Sequence, residues 1–344
     1  MIHGGEIYDK TIEYDFSVNL NPLPCPKEVI SALEKSLQGA GRYPDFYQNE
    51  FRDFVARAEN KLLGKDLLTK DNIIGGNGAS ELLLAIIRMI APRKVLLPVP
   101  GFSGYMHALR SLDRVTVYEF LLKEEQDFRL TKELVDAINY DTDLVIIADP
   151  NNPTGKNIDK DVLLSLMKRC KETDTWLLID ECFLRMSDKT ESSALLIPDM
   201  PRLFVVNAYT KLFSLPGVRI GYAISDAKNI KALSEFLPEW NMSVFSQNAG
   251  VACAKCILET DFVMETSKEV ANLRNSLSNL LAERGFQVFP SDSGFVMIKA
   301  KEDLYRFLLD KKILIRDCSN FDGIDEGYYR ISVSGYGRLR EILI

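Results

Sequence analysis

Four short strings in this chain carry side chains able to do chemistry, and each follows an apolar run. In Gly75-Gly76-Asn77-Gly78-Ala79-Ser80-Glu81 the glycines leave backbone amides free and Ser80 adds a hydroxyl where a helix begins. That suits a phosphate, although a plain strand-to-helix turn would read the same way. Asp149-Pro150-Asn151-Asn152-Pro153-Thr154-Gly155 is a rigid turn holding a carboxamide at a strand end; its separate dipeptides indicate only a turn. Asp180-Glu181 closes the apolar run 176–179, where a buried carboxylate needs a partner that favours its charge, because desolvation alone would neutralise it. Asn207-Ala208-Tyr209-Thr210-Lys211 follows run 203–206, with Arg219 further on. A lysine so placed is either a capped surface residue or a nucleophile whose pKa its surroundings lower.

Taken together, these residues describe a site for an aromatic phosphate ester that binds a lysine covalently. A pyridinium nitrogen gives Asp180 its partner, an aldehyde gives Lys211 its role, and Asn152 reaches the ring's phenolic oxygen. Ser80, Thr210 and Arg219 supply hydroxyls and a guanidinium for one phosphate. The cofactor with these features is pyridoxal 5'-phosphate (PLP). No metal site is read from the sequence.

Such residues need elements to hold them. Apolar runs at 73–74, 95–97, 115–118, 144–148, 176–179, 203–206 and 220–223 alternate with stretches of helical periodicity at 79–90, 131–138 and 160–171. That pattern predicts an α/β domain: a mainly parallel, mixed seven-stranded sheet flanked by helices, with ligands beyond the carboxyl ends of its strands. Past about residue 240 a long helical region, 246–284, precedes strand candidates at 287–289, 296–298, 313–316 and 329–333, which predicts a smaller α+β domain. The expected division is residues 1–40 as an irregular segment packing on the small domain and the active site, 41–240 as the large PLP-binding domain, and 241–344 as the small C-terminal one. Lys123-Glu124-Glu125-Gln126-Asp127 reads as a solvated connection.

With 42 Lys and Arg against 49 Asp and Glu, the 344-residue chain carries a net charge of −7, which argues against nucleic acid as a partner. It lacks 18 consecutive apolar residues, and Met1 leads into His3-Gly4-Gly5-Glu6 without the regions of a signal peptide. A cytoplasmic protein with no membrane partner is therefore expected. Cys253 and Cys256 form a CxxC, but without a second pair or a thioredoxin-like pattern they read as two small buried side chains.

The ordered motifs resemble the fold type I PLP enzymes of the aminotransferase class I/II group over essentially the whole chain. The markers are Gly76 to Glu81, the aromatic in Pro100-Gly101-Phe102-Ser103-Gly104-Tyr105, Asn151 to Gly155, Asp180-Glu181, and Thr210-Lys211 with Arg219. The resemblance implies that Lys211 holds the cofactor covalently, Asp180 pairs with the pyridine nitrogen, and Phe102 stacks on the ring. It also implies that Gly78, Ala79 and Ser80 join Thr210 and Arg219 around the phosphate, and that Arg330 binds the substrate α-carboxylate. Tyr43, in Arg42-Tyr43-Pro44-Asp45, resembles the tyrosine that reaches the phosphate in the other subunit's site, which implies a homodimer with shared active sites.

Two departures stand out. Phe183 occupies the position, three residues after the Asp, where many aminotransferases have Tyr, which removes one hydrogen bond worth roughly 0.5–1.5 kcal/mol. Ala208 stands where the family often has a hydroxyl. Phe183, His3-Gly4-Gly5 and the string Asp15 to Leu23 are similar to threonine-phosphate decarboxylases of cobalamin side-chain assembly, and secondarily to histidinol-phosphate aminotransferases. The implied substrate is a phosphorylated amino acid or amino alcohol, met by Arg330, Arg316 and His3. The implied reaction is decarboxylation of O-phospho-L-threonine, with glutamate-dependent transamination as the alternative. A non-catalytic PLP-binding regulator is a remote third reading.

Overall fold

A computed structural model describes residues 4–5, 7–8, 11–189 and 191–343. Among them the chain forms strands β1 (Tyr14–Asp15), β2 (Ile73–Asn77), β3 (Lys94–Val99), β4 (Thr116–Leu121), β5 (Leu144–Ala148), β6 (Trp176–Asp180), β7 (Leu203–Ala208), β8 (Ile220–Ser225), β9 (Gln287–Phe289), β10 (Phe295–Lys299), β11 (Ile313–Leu314), β12 (Arg316–Asp317) and β13 (Tyr328–Ser332). The helices are α1 (Lys27–Ser36), α2 (Asn49–Leu63), α3 (Ala79–Ile90), α4 (Ser103–Leu109), α5 (Lys132–Ala137), α6 (Lys160–Glu172), α7 (Tyr209–Leu212), α8 (Ala227–Ser234), α9 (Val244–Glu259), α10 (Phe262–Glu283), α11 (Leu304–Leu309) and α12 (Tyr336–Ile342). No helix among the described residues is long and apolar enough to cross a membrane.

All seven apolar runs are strands of one sheet, ordered β2-β8-β7-β6-β5-β3-β4. Only β8 opposes its neighbours; the remaining pairs are parallel. Residues 209–219 alone join β7 to β8, too short a link for the crossover that a parallel return requires, so the chain turns back antiparallel. Along β5, Val145 and Ile147 enter one buried cluster while Leu144, Ile146 and Ala148 enter the other. The sheet is thus covered on both faces, as expected of a parallel sheet.

The C-terminal strands form an antiparallel sheet ordered β12-β13-β10-β9 over a third apolar cluster that includes Phe16, Leu277 and Val296. Four expectations need correction. The run 313–316 is not one strand: Ile313–Leu314 pairs parallel with Tyr14–Asp15, whereas Arg316–Asp317 pairs with β13. The helical region 246–284 is two helices, parted at Thr260, whose extended backbone cannot continue α9 and whose hydroxyl donates to the Cys256 carbonyl. The first forty residues are not wholly irregular, because α1 starts directly after Pro26 and packs against α9. The Lys123 to Asp127 string is more than a solvated connection: Glu124 accepts hydrogen bonds from Lys299 Nζ, Gln287 Nε2 and the Tyr328 hydroxyl, and so joins the loop after β4 to the second sheet. The Cys253 and Cys256 side chains are buried, as expected.

Candidate active site

The chemistry-bearing strings converge at one end of the large sheet. Asp180 is the last residue of β6, Lys211 lies in the single turn α7 after β7, Asn152 follows β5, and Phe102 caps α4 after β3. Ala79 and Ser80 open α3 after β2. Because β8 runs the other way, its beginning, preceded by Arg219, lies at this same end. A cavity of about 220 Å3 opens there. Ala79, Ser80, Phe102, Asn152, Asp180 and Thr210 line it together with Lys211 and Arg219, and the second sheet contributes Arg316 and Arg330.

The turn that begins α3 is shaped by two glycines. Gly78 has φ +79, and a Cβ there would sit 2.3 Å from Arg219 Nη2. A Cβ on Gly221 would sit 2.6 Å from the Ala79 nitrogen. Lacking side chains at both positions, the uncapped N-terminus of α3, the Ser80 hydroxyl and the Arg219 guanidinium come together at one concave corner. Free amides, a hydroxyl and a guanidinium at a helix N-terminus form an anion site. Arg219 itself adopts φ +63, a strained backbone conformation for a residue with a side chain.

Deeper in the cavity, Asp180 Oδ2 accepts from the Tyr105 hydroxyl at 2.8 Å and Oδ1 from the Cys182 amide at 3.0 Å. Burial, and then the carboxylate beside it, pushes the Tyr105 phenol well above its ordinary range, so Tyr105 remains a donor. Lys211 is pushed down to about 8, first by burial and then by the positive charge of Arg330, against the opposing pull of Cys182 and Asp180. Such an amine is partly unprotonated near neutrality, as a nucleophilic lysine must be. Its Nζ lies 5.7 Å from the centre of the Phe183 ring.

Arg330 donates to Asn152 Oδ1 and, at 2.6 Å, to the Ser17 carbonyl. Burial lowers its pKa to about 10, which still leaves it charged. Arg316 stands directly opposite Arg330 in the β12–β13 ladder and donates to Asn320 Oδ1 at 2.6 Å. Ser17 ties the N-terminal segment over this end of the cavity, accepting from the Gly5 amide at 2.8 Å and donating to Asp15 at 2.5 Å.

Of the residues expected at the site, Gly78 does not itself line the cavity but lies beside Arg219, which does, whereas His3 lies outside the described residues. Tyr43 does not line this cavity; it is 80% exposed and its ring packs 4.8 Å from that of Trp240. Sequence reasoning missed Tyr105, in the first turn of α4 with its ring against that of Phe102, and Asn19, which was read only as part of a string. Asn19 lines the cavity and is 1% exposed, yet among the described residues neither atom of its carboxamide has a hydrogen-bond partner.

The donor set fits PLP. The anion corner, a carboxylate held by two donors, a carboxamide and a buried amine match its phosphate, ring nitrogen, phenolic oxygen and aldehyde. The comparisons agree with this chemistry. The model of the family described as aminotransferase class I and II matches residues 11–339. The threonine-phosphate decarboxylase of Salmonella typhimurium is 28% identical over 335 residues, covering 96% of this chain and 89% of that protein. A histidinol-phosphate aminotransferase of Methanothermobacter thermautotrophicus is 29% identical over 326 residues, covering 92% and 83%. The crystal structure of the histidinol-phosphate aminotransferase from Clostridium acetobutylicum superimposes with a TM-score of 0.84 at 28% identity, covering 96% of this chain and 97% of that one.

Proposed function

The chain belongs to the aminotransferase class I and II family of enzymes, and on that premise we propose that it binds PLP in this cavity and decarboxylates O-phospho-L-threonine, as in cobalamin side-chain synthesis. Lys211 holds the cofactor covalently, Asp180 pairs with its ring nitrogen, Phe102 stacks on the ring and Asn152 donates to the ring oxygen. Gly78, Ala79, Ser80, Thr210 and Arg219 hold its phosphate. Bound there, PLP supplies a sink for the electron pair left when a bond to Cα breaks. Lys211, titrating near 8, carries the proton to or from Cα.

The observation that carries the substrate class is the pair Arg316 and Arg330, facing each other across the β12–β13 ladder and both lining the cavity. Two cations beyond the one assigned to the cofactor phosphate suit a substrate with two anionic groups. Arg330 takes the carboxylate, while Arg316, joined by His3, takes the phosphate. The same pair also suits the two carboxylates of glutamate, and relatives of both kinds match at 28% and 29% identity. Histidinol-phosphate-type transamination with glutamate and 2-oxoglutarate is therefore the second reading. Tyr43 completes the phosphate site of a second copy in a homodimer; its exposed ring, with Phe46 and Trp240 beside it, supports that role.

Borohydride treatment of the PLP-loaded protein is expected to fix the cofactor on the peptide containing Lys211, and label on another lysine would refute the site. O-phospho-L-threonine is expected to release carbon dioxide with the visible absorption retained. Stoichiometric loss of that absorption on adding glutamate, without carbon dioxide from phosphothreonine, would replace decarboxylation by transamination.

A further inference from the structure

A buried polar cluster that lines no part of the cavity is attached to the strands that form it. Glu59, on α2, is 1% exposed. Its Oε1 accepts from the Tyr222 hydroxyl and its Oε2 from Arg185 Nη2, each at 2.6 Å. Arg185 is 7% exposed and belongs to the short turn Leu184–Met186, which continues the segment running from Asp180 through Phe183. Tyr222 lies on β8 opposite Asn207 of β7, and its ring centre is 5.1 Å from that of Tyr209, two positions before Lys211. In the sheet, β7 lies between β6 and β8. One carboxylate therefore holds the segment that continues β6 and the strand on the other side of β7, with β7, which leads into the turn bearing Lys211, between them.

Stability does not account for this arrangement. A buried ion pair is commonly matched or bettered by apolar side chains of similar volume, because the desolvation of both charges offsets their attraction. What such a pair supplies is direction: charge-assisted hydrogen bonds fix distance and angle, where apolar contacts let strands slide. We propose that Glu59, acting through Arg185 and Tyr222, is a positioning residue that sets the placement of Lys211 relative to Asp180. The proposal rests on the cofactor roles given above to those two residues.

The test reads Lys211 directly, in the full-length protein without added PLP, as the pH profile of its acetylation by acetic anhydride followed on the Lys211 peptide by mass spectrometry. Tyr222→Phe removes one of the two attachments while keeping the ring. The double variant Glu59→Met with Arg185→Met removes both charges together, so neither is left buried and unpaired. In each, a loosened Lys211 reaches water more freely, and its midpoint is expected to rise by roughly one pH unit towards that of an ordinary lysine, with PLP affinity falling roughly tenfold and thermal unfolding still cooperative. Midpoint and affinity unchanged in a folded Tyr222→Phe protein would overturn the proposal, whatever the double variant does. A wild-type protein that takes up no PLP would instead refute the cofactor reading, and the acetylation profile would still decide whether Glu59 positions Lys211.

Discussion

Asp180 and Glu181 are consecutive acidic residues with opposite fates. Asp180 lines the cavity and keeps donors on both oxygens. Glu181 is fully buried, accepting from the Ser192 hydroxyl at 2.5 Å and the Ser193 amide at 2.7 Å. Successive residues of an extended segment point to opposite sides, so neighbours in sequence meet different solvents. Burial pushes Glu181 up from 4.5 to about 7, opposed by those two hydrogen bonds and by Arg185, while Asp149 reinforces the rise. Its folded value lies above its unfolded one, so the stability it contributes is full below pH 4.5 and is lost as pH rises through about 7. Glu181→Gln keeps the shape and removes the titration. Urea unfolding at pH 5 and pH 8 should show the stability difference between the two proteins shifting in the variant's favour by roughly 2 kcal/mol at the higher pH. A pH-independent difference would mean that Glu181 does not hold a proton in the folded state.

Between elements, the approach of α3 to β8 decides whether the anion corner exists. A Cβ on Gly221 would meet backbone, at 2.5 Å from the Gly78 carbonyl carbon and 2.6 Å from the Ala79 nitrogen. Unlike the end of a flexible side chain, backbone cannot swing aside. Gly221→Ala is therefore expected to cost about 1–3 kcal/mol and to push the start of α3 away from Arg219, lowering PLP affinity more than Ala substitution at a surface strand position would. Equilibrium unfolding and PLP titration of the same preparations separate the two effects. Destabilisation with unaltered affinity would show that the corner tolerates the displacement.

For the whole molecule, assembly is the property with the sharpest consequence. If Tyr43 serves the neighbouring copy, Tyr43→Phe and Lys211→Ala fall in the same site of a mixed dimer, and the other site then contains neither lesion. Mixing the two weak variants and exchanging subunits is expected to restore roughly a quarter of wild-type activity, because about half of a random mixture is mixed dimer and each mixed dimer keeps one of two sites. Mixing without any recovery would place Tyr43 outside the partner's site. Within one chain, Glu124 binds the large sheet's loop to β9, β10 and β13, and β13 carries Arg330, so the relative placement of the two sheets bears directly on the cavity.

Much of the site was legible before any folding, because in an alternating α/β chain an apolar run announces a strand and the residues just past it are delivered to one edge of the sheet. Lys211, Asp180, Asn152, Ser80 and Arg219 each stand beside such a run or open the helix that follows it, so local pattern alone placed them together. The seven strands were readable for the same reason, whereas the fold showed which of them reverses: β8, whose short link from β7 allows no crossover. What only the tertiary structure decided is contact between distant segments that carry no periodic signal. Residues 313–316 look like one strand, yet they divide between two sheets because Tyr14–Asp15 arrives to pair with their first half. Arg316 faces Arg330 through strand register, and Glu59 meets Arg185 across 126 positions of sequence. Asn19 and Tyr105 reach the cavity because the segments bearing them pack over it. A side chain's type and near neighbours determine what chemistry it can offer; which other side chains it meets depends on the packing of the whole chain, since burial and register are set by surfaces far away in sequence.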